Sequence, residues 1–194
     1  MKVLALIGSP RLLGNTASMV HHVLDELEKE GVETDCIHIY EDDMVPCNHC
    51  NSCEIRGDGR CINEDDRMNE YLGRMVEADG LLICAPSYFG SPPAQLKIFL
   101  ERAGYAMQFS GLPMRGKVGG AVAVYDHDGG TTTYLDMVAW MLRNGMVVCG
   151  THPLTVIPGR GPGDYEKDKR GVAAMAELGK SMARALMARQ MLGP

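Results

Sequence analysis

The stretch that decides the fold lies at the start of the chain and reads Val3-Leu4-Ala5-Leu6-Ile7-Gly8-Ser9-Pro10-Arg11-Leu12-Leu13-Gly14-Asn15-Thr16. Its first five residues are all apolar, which is typical of a parallel strand that is buried on both faces. A turn rich in glycine and hydroxyl groups follows, and Asn15 or Thr16 is expected to cap a helix that ends at Gly31. The stretch therefore predicts the first strand, turn and helix of an α/β sheet.

Apolar and amphipathic runs alternate along the rest of the chain, as they do in sheets with helices on both faces. Four further strands are predicted, at residues 33–39, 81–85, 118–125 and 146–149. Five strands match a doubly wound, flavodoxin-like α/β fold, a five-stranded parallel sheet of order 2-1-3-4-5 with helices on both faces. We expect one such domain over residues 1–194, with a Cys-rich loop at 46–62.

The turn after the first strand concentrates hydrogen-bond donors. The N-terminus of a helix binds phosphate readily, because it offers free N–H groups and the positive end of the helix dipole. Ser9, Asn15 and Thr16 can add side-chain donors, and Arg11 can add a charged, planar fork. The alternative is a plain helix cap, with Gly14 serving only the turn. A cap needs one such side chain, so the presence of several favours a mononucleotide phosphate site.

Four of the seven cysteines lie in one short segment, with the spacing Cys47-x2-Cys50-x2-Cys53-x7-Cys61. Three closely spaced thiolates and a later fourth are typical ligands of a [4Fe–4S] cluster, although bacterial ferredoxins have a shorter last interval. Two alternatives remain open. One is a zinc site that also uses His49. The other is a loop without metal, in which the thiols form a redox pair or have no shared role.

A doubly wound sheet binds its ligand beyond the carboxyl ends of its strands, where the strand order reverses. The loops expected at that place are residues 8–16 and 86–93. Tyr88 and Phe89 can border a flat ring, and Gly90 can let backbone N–H groups approach it. Ordinary packing under a Pro-rich turn is the alternative. The Cys-rich loop leaves the same edge of the sheet after strand two, which is compatible with electron transfer between the two sites.

These motifs resemble those of the NAD(P)H-dependent FMN reductases and their iron–sulfur flavoprotein relatives. The resemblance rests on residues 8–16, on residues 86–92 and on the segment from Cys47 to Cys61. It implies that FMN and a [4Fe–4S] cluster are the cofactors. The implied cluster ligands are Cys47, Cys50, Cys53 and Cys61. The implied flavin contacts are Ser9, Arg11, Gly14, Asn15, Thr16, Pro86, Ser87, Tyr88, Phe89, Gly90 and Asp126.

The resemblance predicts an oxidoreductase whose chemistry is carried by its cofactors, without a side-chain catalyst. FMN would exchange electrons with the cluster, and NAD(P)H or a redox partner protein would be the outside donor or acceptor. The alternatives are an NAD(P)H-dependent FMN or quinone reductase without a cluster, and a non-enzymatic electron carrier. The family often binds flavin between subunits, which implies a homodimer or homotetramer. His127, beside Asp126, is a candidate for ring contact or proton transfer.

Charge and composition argue against several other classes of protein. A formal charge of −6 and the lack of a basic patch argue against nucleic acid as the partner. No apolar run reaches the roughly 18 residues of a membrane span, and the first residues lack the pattern of a signal peptide. The chain is therefore expected to be cytoplasmic, and its odd number of cysteines makes a disulfide framework unlikely. Cys36, Cys84 and Cys149 are expected to be small buried residues of strands.

Overall fold

The fold, seen in a computed structural model that describes residues 1–192, is an open parallel sheet between two layers of helices. Its strands are β1 (Lys2–Ile7), β2 (Glu33–His38), β3 (Gly80–Pro86), β4 (Val118–Tyr125), β5 (Val147–Val148) and β6 (Val156–Pro158). Its helices are α1 (Asn15–Lys29), α2 (Ser52–Arg56), α3 (Met68–Glu77), α4 (Ala94–Gln108), α5 (Gly130–Arg143) and α6 (Lys169–Leu192), with 3₁₀ turns at Ile39–Glu41 and Asp164–Lys167. The strands follow the order β2-β1-β3-β4-β5, which confirms the flavodoxin-like prediction.

β1 contributes to the core on both faces of the sheet, because its side chains alternate between the two faces. Leu4 and Leu6 pack on the face covered by α3, α4 and α5. Val3, Ala5 and Ile7 pack on the opposite face, which is covered by α1 and α6. All five side chains are fully buried. A strand that is covered by helices on both sides has no solvent-exposed face. This explains why the apolar run of β1 is unbroken.

The fifth strand, predicted at residues 146–149, is only Val147–Val148 long, and a second short strand, β6, follows outside the predicted range. β5 pairs with the beginning of β4 and β6 with its end. Pro153 lies between them, and a residue without an N–H group cannot extend the hydrogen-bonded ladder. The hydroxyl of Thr155 donates instead to the carbonyl oxygen of Ala121 on β4. The carbonyl group of Ala121 therefore stays paired where the ladder is interrupted.

Two of the three cysteines outside the Cys-rich loop differ from expectation. Cys84 is buried in β3 as predicted, and its burial raises the pKa of its thiol well above the ordinary range. Cys36 and Cys149 are only half-buried. The reason is their position, since β2 is an edge strand and Cys149 follows β5, which lies at the opposite edge.

Candidate cofactor cavities

A cavity of about 290 Å³, called here the polar cavity, opens beyond the carboxyl ends of β1, β3 and β4. Strand order reverses between β1 and β3, so this is where a doubly wound sheet binds its ligand. Nine of the eleven residues predicted for flavin binding line it: Ser9, Arg11, Gly14, Asn15, Thr16, Pro86, Ser87, Tyr88 and Asp126. The remaining lining residues are Val124, Tyr125, Gly159 and Arg160.

The N-terminus of α1 forms the part of the polar cavity that suits an anion. The cap position is Gly14, and no side chain caps the first turn, so the predicted cap at Asn15 or Thr16 is wrong. The N–H groups of that turn therefore remain available at the positive end of the helix dipole. Ser9 is buried, and its Oγ accepts the backbone N–H of Arg11 at 3.2 Å, which fixes the turn between strand and helix.

Asn15 connects α1 to the loop that follows β6. Its Nδ2 donates to the carbonyl oxygens of Gly159, at 3.0 Å, and Gly161, at 2.8 Å. Its Oδ1 accepts the N–H of Gly163 at 2.8 Å. Both amide hydrogens are thus used within the chain. A phosphate contact of the kind predicted for Asn15 would require one of these hydrogen bonds to be exchanged.

Arg160 is a lining residue that no sequence motif indicates. It lies in the Gly/Pro-rich loop 158–164, and its Nε is 3.7 Å from Oδ1 of Asp126 at the exposed mouth of the polar cavity. It adds a second guanidinium to that of Arg11. His127 is largely exposed and does not line the cavity, and its Nε2 lies 3.6 Å from Asp126. The pairing of β6 with β4, together with Asn15, brings Arg160 to this place.

Phe89 and Gly90 form the tip of a tight turn beside the polar cavity. Tyr88 and Ser91 exchange two backbone hydrogen bonds, of 2.9 and 3.2 Å. The tip residues have φ angles of 52° and 81°, as in a type I′ turn. Phe89 is fully exposed. A Cβ on Gly129 would lie 2.6 Å from Cα of Gly90, so the two loops are in close contact. The ring contacts of Phe89 and Gly90 stay predictions.

A second cavity of about 300 Å³, called here the thiol cavity, lies between the Cys-rich loop and α4. All four predicted cluster ligands line it, together with Tyr105 on α4 and Phe109 just beyond that helix. The two cavities have no lining residue in common. Within residues 1–192, no three His, Cys, Asp or Glu side chains are close enough to form a finished metal site. The structure therefore shows four thiols around one space, without a completed coordination sphere.

The backbone around Cys50 suits thiolate ligands. His49 and Asn51 both have left-handed backbone angles, with φ of 56° and 60°, which bend the loop around the thiol cavity. The N–H of His49 donates to Sγ of Cys47 at 3.4 Å. Sγ of Cys50 lies 3.4 Å from Oγ of Ser52, and hydrogen bonding to Ser52 lowers the pKa of Cys50. Such contacts favour the thiolate, which is the form that binds metal.

Comparison with known proteins tests the resemblance that the motifs suggest. A model of the NADPH-dependent FMN reductase family matches residues 1–156. The chain belongs to this family. An iron–sulfur flavoprotein of Methanocaldococcus jannaschii is 37% identical over 190 residues, which cover 94% of this chain and 96% of that protein. The resemblance inferred from the motifs is thereby confirmed.

Solved structures show the same fold. RosB, in a structure with a bound 8-demethyl-8-formylriboflavin-5′-phosphate intermediate, has a TM-score of 0.77 at 18% identity. The match covers 98% of this chain and 81% of RosB. A flavodoxin from the domain Archaea has a TM-score of 0.63 at 16% identity, over 96% of this chain and 99% of its own. At these identities the likeness concerns the fold alone.

Proposed function

We propose that the protein is an FMN-dependent oxidoreductase that also holds a [4Fe–4S] cluster and exchanges electrons between the two. The observation that carries the proposal is that Cys47, Cys50, Cys53 and Cys61 all line one cavity, separate from the polar cavity at the ends of the strands. The match to a protein named as an iron–sulfur flavoprotein supports it. When bound, the flavin supplies hydride and single-electron chemistry, and the cluster supplies single-electron chemistry.

The residues of the polar cavity would bind and orient FMN. The first turn of α1, with Gly14 and Thr16, and the buried Ser9 would surround the phosphate. Arg11 would add a charge-assisted hydrogen bond. Asn15 would act mainly by holding the loop that carries Arg160 over the site. The ring would be bordered by Pro86, Ser87, Tyr88 and Asp126.

Arg11→Ala is expected to weaken FMN binding by about 1.5–3 kcal/mol, the scale of a hydrogen bond to a charged group. The dissociation constant, measured by flavin fluorescence on protein from which FMN has been removed, checks this. Arg170→Ala is the matched control, because Arg170 is also exposed but lies at the start of α6, outside the polar cavity. Equal dissociation constants for the wild type and Arg11→Ala would show that Arg11 does not contact the phosphate.

The thiol cavity also contains the residue that a zinc site would use. His49 lines it, and the ring of His49 packs edge-on against Tyr105 with centroids 5.6 Å apart. We favour the cluster, because the three closely spaced thiols suit it better than the two separated pairs of a structural zinc site.

Purification without oxygen tests the whole proposal. The expected result is about four iron and four sulfide per chain, with one FMN and no zinc. Heat release and chromatography of the flavin should give FMN. Recovery of FAD would contradict the mononucleotide assignment. FMN without iron or sulfide would favour a reductase that has no cluster.

The outside electron donor is proposed to be NAD(P)H or a redox partner protein. Anaerobic mixing with NADH and with NADPH should bleach the flavin absorbance with at least one of them if the protein is a reductase. A protein that serves only as an electron carrier would show no change with either.

No helix in the described part of the chain is long and apolar enough to cross a membrane. We propose a cytoplasmic protein, since none of the cysteines in the described part of the chain forms a disulfide.

We also propose a homodimer or homotetramer. Phe89 and Leu13 are almost fully exposed, on loops that also contribute residues to the polar cavity. Exposed apolar side chains beside a binding site are typical of surfaces that associate. Light scattering after gel filtration measures the assembly, and a mass of one chain would contradict this part of the proposal.

A further inference from the structure

A buried ion pair lies directly behind Cys61. The side chains of Arg102, on α4, and Asp66, just before α3, are only 2% and 4% exposed. The guanidinium contacts Asp66 through both terminal nitrogens, the Nη1 contact being the salt bridge and the Nη2 contact measuring 3.2 Å. Nη1 also donates to the carbonyl oxygen of Val45 at 3.3 Å. Nη2 donates to Sγ of Cys61 at 3.2 Å.

A contribution to folding stability does not by itself explain why this ion pair is buried. Moving two charges out of water costs free energy that their attraction often fails to return, and apolar residues of the same volume frequently serve as well. The contact to Cys61 gives the pair another use. A guanidinium donor fixes the direction of one proposed ligand and places positive charge beside its sulfur, in surroundings where electrostatic effects are strong.

We infer that Arg102 is a positioning residue that orients Cys61 and raises the reduction potential of a cluster bound in the thiol cavity, and that Asp66 limits this effect. The inference rests on the proposed [4Fe–4S] cluster. Reduction adds one electron, taken from dithionite in the test, and no bond forms or breaks. The added negative charge is shared by the thiolate sulfurs. A hydrogen bond and a cation at Cys61 therefore stabilise the reduced form more than the oxidised form.

Three variants separate the contributions. Arg102→Gln removes the charge and changes the donor, and Arg102→Lys keeps the charge but removes the fork that reaches both Asp66 and Cys61. Asp66→Asn keeps the donor and leaves its charge uncompensated. Arg170→Gln on α6 is the control, because it removes an exposed arginine outside both cavities. Each variant is purified without oxygen, and its iron and sulfide are counted.

The measurement is a potentiometric titration with dithionite. The electron paramagnetic resonance signal of the reduced cluster and the flavin absorbance are followed in one sample. Arg102→Gln should lower the equilibrium constant for cluster reduction about tenfold, which is about 59 mV for a one-electron couple. Arg102→Lys, which keeps the charge, should lower it by less. Asp66→Asn should shift the cluster potential in the opposite direction. The flavin potential, and both potentials of Arg170→Gln, should stay at the wild-type values.

The outcomes distinguish this inference from the proposal beneath it. Wild-type protein without iron would overturn the cluster and this inference together. Wild-type protein with full iron, but with unchanged cluster potentials in Arg102→Lys and Asp66→Asn, would overturn the inference alone. If Arg102→Gln fails to fold, the other two variants still decide the question.

Discussion

Cys50→Ser is expected to lose nearly all iron and sulfide while keeping its FMN. A serine hydroxyl does not ionise at neutral pH, so it replaces a thiolate ligand poorly. Cys50 is the exposed member of the four proposed ligands and lies on the part of the loop that His49 and Asn51 bend around the thiol cavity. FMN should stay bound because the two cavities have no lining residue in common. Iron, sulfide and flavin per chain, measured after anaerobic purification, check the prediction.

Cys36→Ser is the matched control for this variant. Cys36 is also a free and partly exposed thiol, but it lies on the edge strand β2 and lines neither cavity. It should keep the wild-type content of iron and sulfide. Equal iron in Cys50→Ser and the wild type would rule out Cys50 as a ligand. The plain FMN reductase would then be the better description of the protein.

Gly129→Ala is expected to have the second large effect, on both stability and flavin binding. The residue has a φ of +72°, and an added Cβ would overlap Oγ of Ser87 and lie 2.6 Å from Cα of Gly90. The left-handed backbone costs about 1–2 kcal/mol for a residue with a side chain, and overpacking adds about 1–3 kcal/mol. The clash pushes apart two loops that border the polar cavity. We therefore expect a lower free energy of unfolding and, by about tenfold or more, a higher dissociation constant for FMN.

Gly31→Ala separates the two causes. Gly31 has a similar φ of +78°, but an added Cβ would meet no atom within 4 Å. It follows α1, at the end opposite Gly14 and the polar cavity. The control should lose only the backbone contribution in urea unfolding and should bind FMN normally. If Gly129→Ala and Gly31→Ala behaved alike in both measurements, the contact between the two loops would have no importance for the site.

The sequence predicts the fold well where folding depends on local patterns. The apolar run of β1 identifies a strand that is buried on both faces, and the alternation that follows places the later strands and helices around it. The split of the last strand cannot be predicted in this way. It depends on which β4 carbonyl groups remain free, and therefore on the hydrogen bond between Thr155 and Ala121. Such a pairing leaves no periodic signal in the chain.

The same division holds for the sites. Residues 8–16 and the cysteine spacing are compact motifs, so their chemistry can be recognised from the order of the residues alone. Arg160 has no motif around it and reaches the polar cavity only through tertiary contacts. The ion pair of Arg102 and Asp66 joins residues 36 positions apart, and neither residue is unusual in its own segment. Long-range partners of this kind can be identified only from the folded structure.

The bridge made by Asn15 has a consequence for the order in which the protein is built. Its three hydrogen bonds join residues that are 144, 146 and 148 positions apart. During synthesis Asn15 is made long before the loop that holds its three partners. Contacts of such high sequence separation form late and slowly. A long loop must close, at a cost in chain entropy, before these contacts can stabilise the structure. A nascent chain ending at residue 156 would contain the whole family-matching region and still lack the loop that completes the polar cavity.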